Sequence, residues 1–287
     1  MRNGLHFALI GDDVRYSKSP DIFQAMFRAI GREGRFEIVS LKRDDVRGSL
    51  NQLVLEGIRG FAVTIPYKQE IVGSLDDLDP VAQKVGAVNS IAVEGTSLYG
   101  YNTDCHGFGC PLIKLGRRAI GGKALIAGCG GAARAVAYSL CHDFGVRDLT
   151  VLGRSAERLA EFRKAMEPRL ERARIATEVS SSFGNAQTAD FDIIVNCTPL
   201  GGWHHPNESP LPASLVMSSG KLYYDLNYND GNQLVAQARE RGMTALDGSA
   251  MLVAQAIRSF AIWTDQQMPF VEIYRAVFGD RIIFPSA

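Results

Sequence analysis

Ala124-Leu125-Ile126-Ala127-Gly128-Cys129-Gly130-Gly131-Ala132-Ala133-Arg134-Ala135 is an apolar, strand-like run that breaks into a glycine-rich turn and resumes as a helical pattern. Gly128, Gly130 and Ala133 take the three small-residue positions of a dinucleotide fingerprint, where absent or minimal side chains let the backbone approach a pyrophosphate at a helix N-terminus. Such a match is weak alone and gains its force from context. The next strand, Asp148 to Leu152, ends in Gly153-Arg154-Ser155, where an NAD-binding chain usually carries an acid for the ribose hydroxyls. Arg154, with Arg158 one helical turn later, suits a ribose 2′-phosphate instead. Two cations at a helix start oppose its dipole, so a purely solvated role is unattractive, and the pattern points to NADP.

Working outward, the segment from Phe108 to Asp247 alternates strands and helices. Phe191 to Asn196, Leu222 to Leu226 and Met243 to Leu246 are apolar runs of the kind buried on both faces of a parallel sheet. A Rossmann-like domain over 108–247 follows. Before it lie strands expected at Leu5 to Gly11, Phe36 to Leu41 and Gly60 to Ile65, with helices at Ser19 to Ile30 and Asp44 to Glu56. Pro20 suits a helix start, and Ile22, Phe23, Met26, Phe27 and Ile30 recur at helical spacing as core. Ser90 to Val93 turns through Glu94-Gly95-Thr96 into Leu98 to Tyr101 as a hairpin. The chain closes with two helical patterns, Ser249 to Thr264 and Pro269 to Phe278, which are expected to return to the first domain. The expected architecture is α/β and two-lobed: a substrate domain over 1–107 and 248–287, a nucleotide domain over 108–247, and a cleft between them. The charged stretch Glu157 to Arg174 reads as a solvated helix face.

The chain has 287 residues, 46% hydrophobic and 22% charged, with a formal net charge of zero. That composition supports a substantial core and gives no reason to invoke nucleic acid or acidic membranes. Phe7 to Ile10 is too brief for a signal-peptide core, and no run reaches the length of a membrane span. Five cysteines without CxxC spacing read as free thiols, so a cytoplasmic protein is expected; monomer and homodimer are both left open. His204 and His205 lie in a loop without a zinc-binding pattern, and no metal is expected.

Lys68 and Asp104 are the candidates to carry the chemistry if their two strand ends meet in a cleft; either one alone reads as a solvated surface residue. Each follows a strand-like run inside a short polar signature, Thr64-Ile65-Pro66-Tyr67-Lys68 and Asn102-Thr103-Asp104. A buried ammonium beside a carboxylate can hold a carbonyl or hydroxyl oxygen and move a proton to or from it, as reversible carbonyl reduction requires.

Over nearly its whole length the chain resembles the shikimate dehydrogenase family. Ser17-Lys18-Ser19-Pro20 is similar to that family's substrate-carboxylate motif, Val63 to Lys68 to its catalytic-lysine motif, Gly86-Ala87-Val88-Asn89 to its asparagine loop, and Asn102-Thr103-Asp104 to the segment bearing the catalytic aspartate. Gly128-Cys129-Gly130-Gly131-Ala132 and Gly153-Arg154-Ser155 resemble its nucleotide and 2′-phosphate loops, Asn196-Cys197-Thr198-Pro199 its nicotinamide-side loop, and Asp247-Gly248 through Met251 to Gln255 its returning helix.

The resemblance implies NADP-dependent, reversible reduction of 3-dehydroshikimate to shikimate in aromatic amino acid biosynthesis. Lys68 and Asp104 would be catalytic, and Ser17, Ser19, Thr64, Asn89, Tyr228 and Gln255 would bind substrate. Gly128, Gly130, Gly131, Ala132, Arg154, Ser155, Arg158, Thr198, Gly248 and Met251 would bind cofactor. Two serine hydroxyls before a proline-started helix can both donate to a carboxylate, while Ser19 alone could simply cap that helix. The chain departs from the family at three places: Gly153-Arg154-Ser155 where Asn-Arg-Thr is common, Gly202-Trp203 where a methionine often follows the glycine, and Cys105-His106 where a small residue is usual. Two rivals are a quinate or quinate/shikimate dehydrogenase and a non-catalytic NADP-binding sensor. Joint retention of Lys68 and Asp104 argues against the sensor.

Overall fold

The computed structural model describes residues 4–117, 120–170, 172–182, 191–212, 215 and 219–281. Met1 to Asn3 at the head of the N-terminal run, and Glu171 in the charged stretch, lie outside them. The described residues fall into two compact units, one running to Phe108 and resuming at Leu252, the other spanning Gly109–Met251.

The first unit opens with β1 (Leu5–Ile10), α1 (Ser19–Ala29), β2 (Gly34–Val39), α2 (Val46–Leu55) and β3 (Gly60–Val63). After them come α3 (Tyr67–Glu70), a 3₁₀ turn, β4 (Asp77–Leu78), α4 (Pro80–Val85), β5 (Ser90–Glu94), β6 (Ser97–Tyr101) and the start of α5 (Asp104–Lys114), whose residues from Gly109 on belong to the second unit. The strands form one sheet in the order β2-β1-β3-β5-β6-β4. β1 pairs parallel with β2 and β3, and β5 pairs antiparallel with β3 and β6. The chain leaves β1 toward β2 but leaves β3 toward β5. The carboxyl ends of β1 and β3 therefore bound the point where connections diverge, the place where open α/β sheets leave room for a ligand. Strand β3 ends at Val63, two residues before the reach expected from sequence, which frees Thr64 and Ile65 to begin a turn.

In the second unit β7 (Lys123–Ala127), α6 (Gly131–His142), β8 (Asp148–Gly153), α7 (Ala156–Met166) and β9 (Arg174–Val179) precede β10 (Ile193–Asn196). β11 (Leu222–Asp225), α8 (Gln233–Glu240) and β12 (Thr244–Leu246) complete it. All pairings are parallel, in the order β12-β11-β10-β7-β8-β9, which is the doubly wound arrangement with its switch point between β7 and β10. The charged stretch does not continue as one helix. It breaks into α7 and a 3₁₀ turn (Glu167–Arg169), and Arg174 opens an edge strand.

The chain ends in α9 (Ser249–Thr264) and α10 (Phe270–Phe278). Phe260 and Trp263 of α9 pack on Phe7 of β1, at ring separations of 6.2 and 4.8 Å, and on Phe23 of α1. Phe7, Phe23 and Phe260 are fully buried, each contributing about 1.5–3 kcal/mol of transfer free energy, so the cluster ties α9 firmly to the first sheet.

Candidate active site

At the carboxyl ends of β1 and β3 the two loops are laced together. The Thr64 N–H donates to the Ile10 carbonyl (2.9 Å) and the Asp12 N–H to that of Ile65 (3.1 Å). The β1 loop carries Ser17 and Ser19, whose hydroxyls lie 3.1 Å apart. Ser19 is buried and does not cap α1; Lys18 holds the cap position, and Ser17 Oγ accepts from the Ser19 N–H. The β3 loop leads into α3, so Lys68 stands on a single helical turn. A turn this short has no intrinsic stability and needs outside anchors. Two are visible: the buried Tyr67 hydroxyl donates to Asp12 (2.9 Å), and the Lys68 carbonyl accepts from Val88 N–H (2.7 Å).

From this turn Lys68 Nζ reaches Asp104 Oδ2 at 2.5 Å, with the two side chains 17% and 5% exposed. Asp104 opens α5, and its other oxygen accepts from Asn89 Nδ2 (3.0 Å). Asn89 is itself buried. Its Oδ1 accepts from the Thr103 N–H (2.6 Å), and its amide also faces Thr103 Oγ1 (2.9 Å) and Gln255 Oε1 (3.2 Å). Gln255 donates in turn to the Leu252 carbonyl. One connected polar cluster therefore holds Lys68, Asn89, Asp104 and Gln255. Thr103 and Ser259, whose hydroxyls sit 3.1 Å apart, extend it and were not singled out from the sequence. Burial makes such a network rigid when every member is satisfied.

The glycine turn of the second unit lies at the β7–β10 switch point. Gly128 has φ +108°, and a side chain there would press on the Cys197 carbonyl and Thr198 Cγ2 at 3.2 Å. Gly130 begins α6 without a side-chain cap and faces open space where a side chain would stand. Gly131 and Ala132 form the first turn of α6, and Ala133 is buried. The result is a helix N-terminus with a bare approach, which fits a pyrophosphate. Arg154 and Arg158 are exposed after β8, and Ser155 caps α7 by accepting from the Arg158 N–H. Burial holds the Cys129 thiol above its usual range, against a smaller downward pull from Arg158 and Arg134.

Across the switch point, Thr198 donates through its N–H (2.9 Å) and hydroxyl (2.8 Å) to Asn196 Oδ1. Beyond β11 lies Tyr228, half-buried. Gly248 and Met251 are both buried. A side chain at Gly248 would collide with the Leu226 carbonyl, and its N–H donates to Asn227 O (2.9 Å). Gly248→Ala is therefore expected to destabilise the fold by about 1–3 kcal/mol, the usual penalty of overpacking, seen as a lowered Tm in thermal unfolding. A melting point equal to the parent's would show that the backbone shifts freely there.

None of the five cysteines is in a disulfide, and burial pushes the Cys141 thiol up to about 12. Among the described residues no group of three or more His, Cys, Asp or Glu side chains is placed to hold a metal, and His205 Nδ1 pairs with Glu208 at 2.7 Å. No helix among them is long and apolar enough to cross a membrane.

A doubly wound sheet with a bare glycine turn, carried on the same chain as a buried lysine–carboxylate pair, defines a nucleotide-dependent dehydrogenase. Residues 9–91 match the model of the shikimate dehydrogenase substrate binding domain, and residues 248–278 that of the shikimate 5′-dehydrogenase C-terminal domain. A shikimate dehydrogenase (NADP(+)) of Moorella thermoacetica is 35% identical over 94% of this chain and 91% of its own. This chain belongs to the shikimate dehydrogenase family. Among solved structures, a shikimate dehydrogenase in complex with NADP+ aligns with TM-score 0.84 at 29% identity, covering 96% of this chain and 94% of that one. A quinate dehydrogenase from Corynebacterium glutamicum in complex with NAD aligns with TM-score 0.84 at 26% identity, covering 95% and 98%.

Proposed function

We propose that the chain is an NADP-dependent oxidoreductase that reversibly reduces 3-dehydroshikimate to shikimate, a step of aromatic amino acid biosynthesis. The observation that carries this reading is the 2.5 Å Lys68–Asp104 pair inside its amide cluster. In this reading residues 1–107 and 248–287 bind substrate and 108–247 bind the cofactor. NADPH supplies the hydride to the carbonyl carbon. Lys68 gives a proton or hydrogen bond to the oxygen as charge develops there, and takes it back in the reverse direction. Asp104 holds the ammonium, and Asn89 holds Asp104, so the donor is positioned before the reaction begins. Asn89, Thr64 and Gln255 supply neutral donors and acceptors for a polyhydroxylated ring. Ser17 and Ser19 take its carboxylate. The enzyme is placed in the cytoplasm, as a monomer or homodimer without nucleic-acid or membrane partners.

Discrimination between acids rests on the two serines. Shikimate presents its carboxylate on a flat carbon, whereas quinate adds a hydroxyl on a tetrahedral one that needs room and a partner. Shape alone excludes an added hydroxyl by about a hundredfold at best. Turnover of shikimate with NADP is expected to exceed that of quinate by about tenfold or more in kcat/KM. Ser17→Ala or Ser19→Ala is expected to raise the KM for shikimate. Steady-state kinetics on both acids with both nicotinamides decides the matter. Equal or better use of quinate promotes the quinate dehydrogenase reading, and absence of turnover with every alicyclic acid promotes the sensor.

A further inference from the structure

Asp225 ends β11 as a fully buried carboxylate, opposite Asn196 of β10 in the parallel register. Burial raises its pKa above the usual carboxylate range, opposed by hydrogen bonds from Asn227, Asn196 and Tyr223. Its hydrogen-bond partners are neutral donors: the Asn227 N–H (2.9 Å) and Nδ2 (2.8 Å), Asn196 Nδ2 (3.1 Å to Oδ2) and the Tyr223 hydroxyl (3.0 Å). A carboxylate accepts without donating, so it suits this ring of hydrogens better than an amide of the same shape would. A buried charge costs stability, and a well-packed apolar residue is often the cheaper alternative. Asp225 has no part in the chemistry proposed above. Its role lies in what its two amide partners hold.

Both partners grip Thr198. Asn196 turns its oxygen to the Thr198 N–H and hydroxyl, while Asn227 Nδ2 donates to the Thr198 carbonyl (3.0 Å) and to that of Leu200 (3.2 Å). Gly202 lies so near Asn227 Oδ1 that any side chain there would strike it, which accounts for glycine at the place where the family often has methionine. Thr198 in turn forms one wall of the Gly128 turn. We infer that Asp225 is a positioning residue for the cofactor: acting through Asn196 and Asn227, its carboxylate fixes Thr198 against the glycine turn. This inference rests on the reading of that turn as the NADP site.

Asp225→Asn tests it in the full chain, with nucleotide affinities measured well below each variant's melting temperature. NADP+ and NAD+ are expected to weaken together by about tenfold or more, because the loop is disturbed while the phosphate-reading arginines are untouched. Shikimate affinity, carried in the proposed reading by the Lys68 cluster and the two serines, is expected to stay within about threefold of the parent. A merely destabilised fold would weaken shikimate and both nucleotides alike. Should D225N fail to fold, Asn227→Ala removes both carbonyl bonds from a half-buried turn and is expected to weaken both nucleotides by about threefold or more. The inference is overturned by D225N binding NADP+ within about twofold of the parent, by a shikimate affinity lost in D225N as heavily as that for NADP+, or, with D225N unfolded, by parental affinity in N227A. A parent that binds no NADP+ overturns the functional reading and the inference with it, whereas failure confined to the variants overturns the inference alone.

Discussion

Replacing Lys68 with Met is expected to lower kcat by roughly 10² to 10⁴, the range associated with loss of a general acid or base. Methionine keeps most of the stem but ends in a thioether that can donate nothing. The geometry says why no neighbour substitutes for it. Asp104 Oδ1 is engaged with Asn89, and Asn89 with Thr103 and Gln255, so the ammonium is the group within the cluster that can present a mobile proton. The variant also leaves the Asp104 carboxylate buried without its cation, which destabilises the fold. Activity must therefore be compared well below the melting temperature of both proteins. Asp104→Asn, which keeps the shape and removes the charge, is expected to cut kcat heavily as well, and the double variant to be little worse than either single one because the pair acts as a unit. Activity of Lys68→Met within about twofold of the parent would remove Lys68 from the chemistry.

Lys68 and Asp104 were legible because each stands in a short polar signature after a strand-like run, whereas Asn89 and Gln255 came through the family resemblance. How they meet was not. Asn89 and Gln255 are 166 positions apart and join through one hydrogen bond, a contact no local pattern encodes. Taken alone, Asn89 reads as a turn residue and Gln255 as a solvated helix position; the fold buries the first and half-buries the second. Elements long enough to show a period stood out, as in α1 and in α9, whose observed bounds match the sequence reading. The one-turn α3 and the two-turn α4 are too short to display one and owe their form to anchors such as Tyr67 on Asp12.

Strand β9 was hidden for a different reason. It is an edge strand with Ile175 as its buried residue, and Arg174 and Glu178 give it the look of a solvated surface. Charged edges of this kind are how sheets avoid pairing with other chains, so the signal that conceals the strand is part of its function. Asp225 carries a signal of its own in the sequence: an acid closing the apolar run Leu222-Tyr223-Tyr224 must be neutralised, paired or hydrogen-bonded on all sides.

Arg154→Ala is expected to weaken NADP by roughly tenfold to more than a hundredfold while leaving NAD nearly unchanged, because a hydrogen bond to a charged group contributes about 1.5–3 kcal/mol. Arg154 is exposed at the end of β8, beyond the strand and outside the core, so its removal should leave the fold within about 0.5 kcal/mol of the parent. Its expected partner is the 2′-phosphate, which NAD lacks. Arg158 follows in the first turn of α7, where its backbone N–H is already taken by the Ser155 cap but its side chain is exposed. If both guanidinium groups share one phosphate, the single variant falls at the low end and Arg158→Ala repeats it, while the double variant approaches the affinity of NAD. This pattern differs from the one expected of Asp225→Asn, which weakens both nucleotides together. Titrating NADP+ and NAD+ against the three arginine variants separates the cases: a drop confined to NADP+ assigns the phosphate to this corner of the sheet, and equal losses for both nucleotides would make the arginines structural.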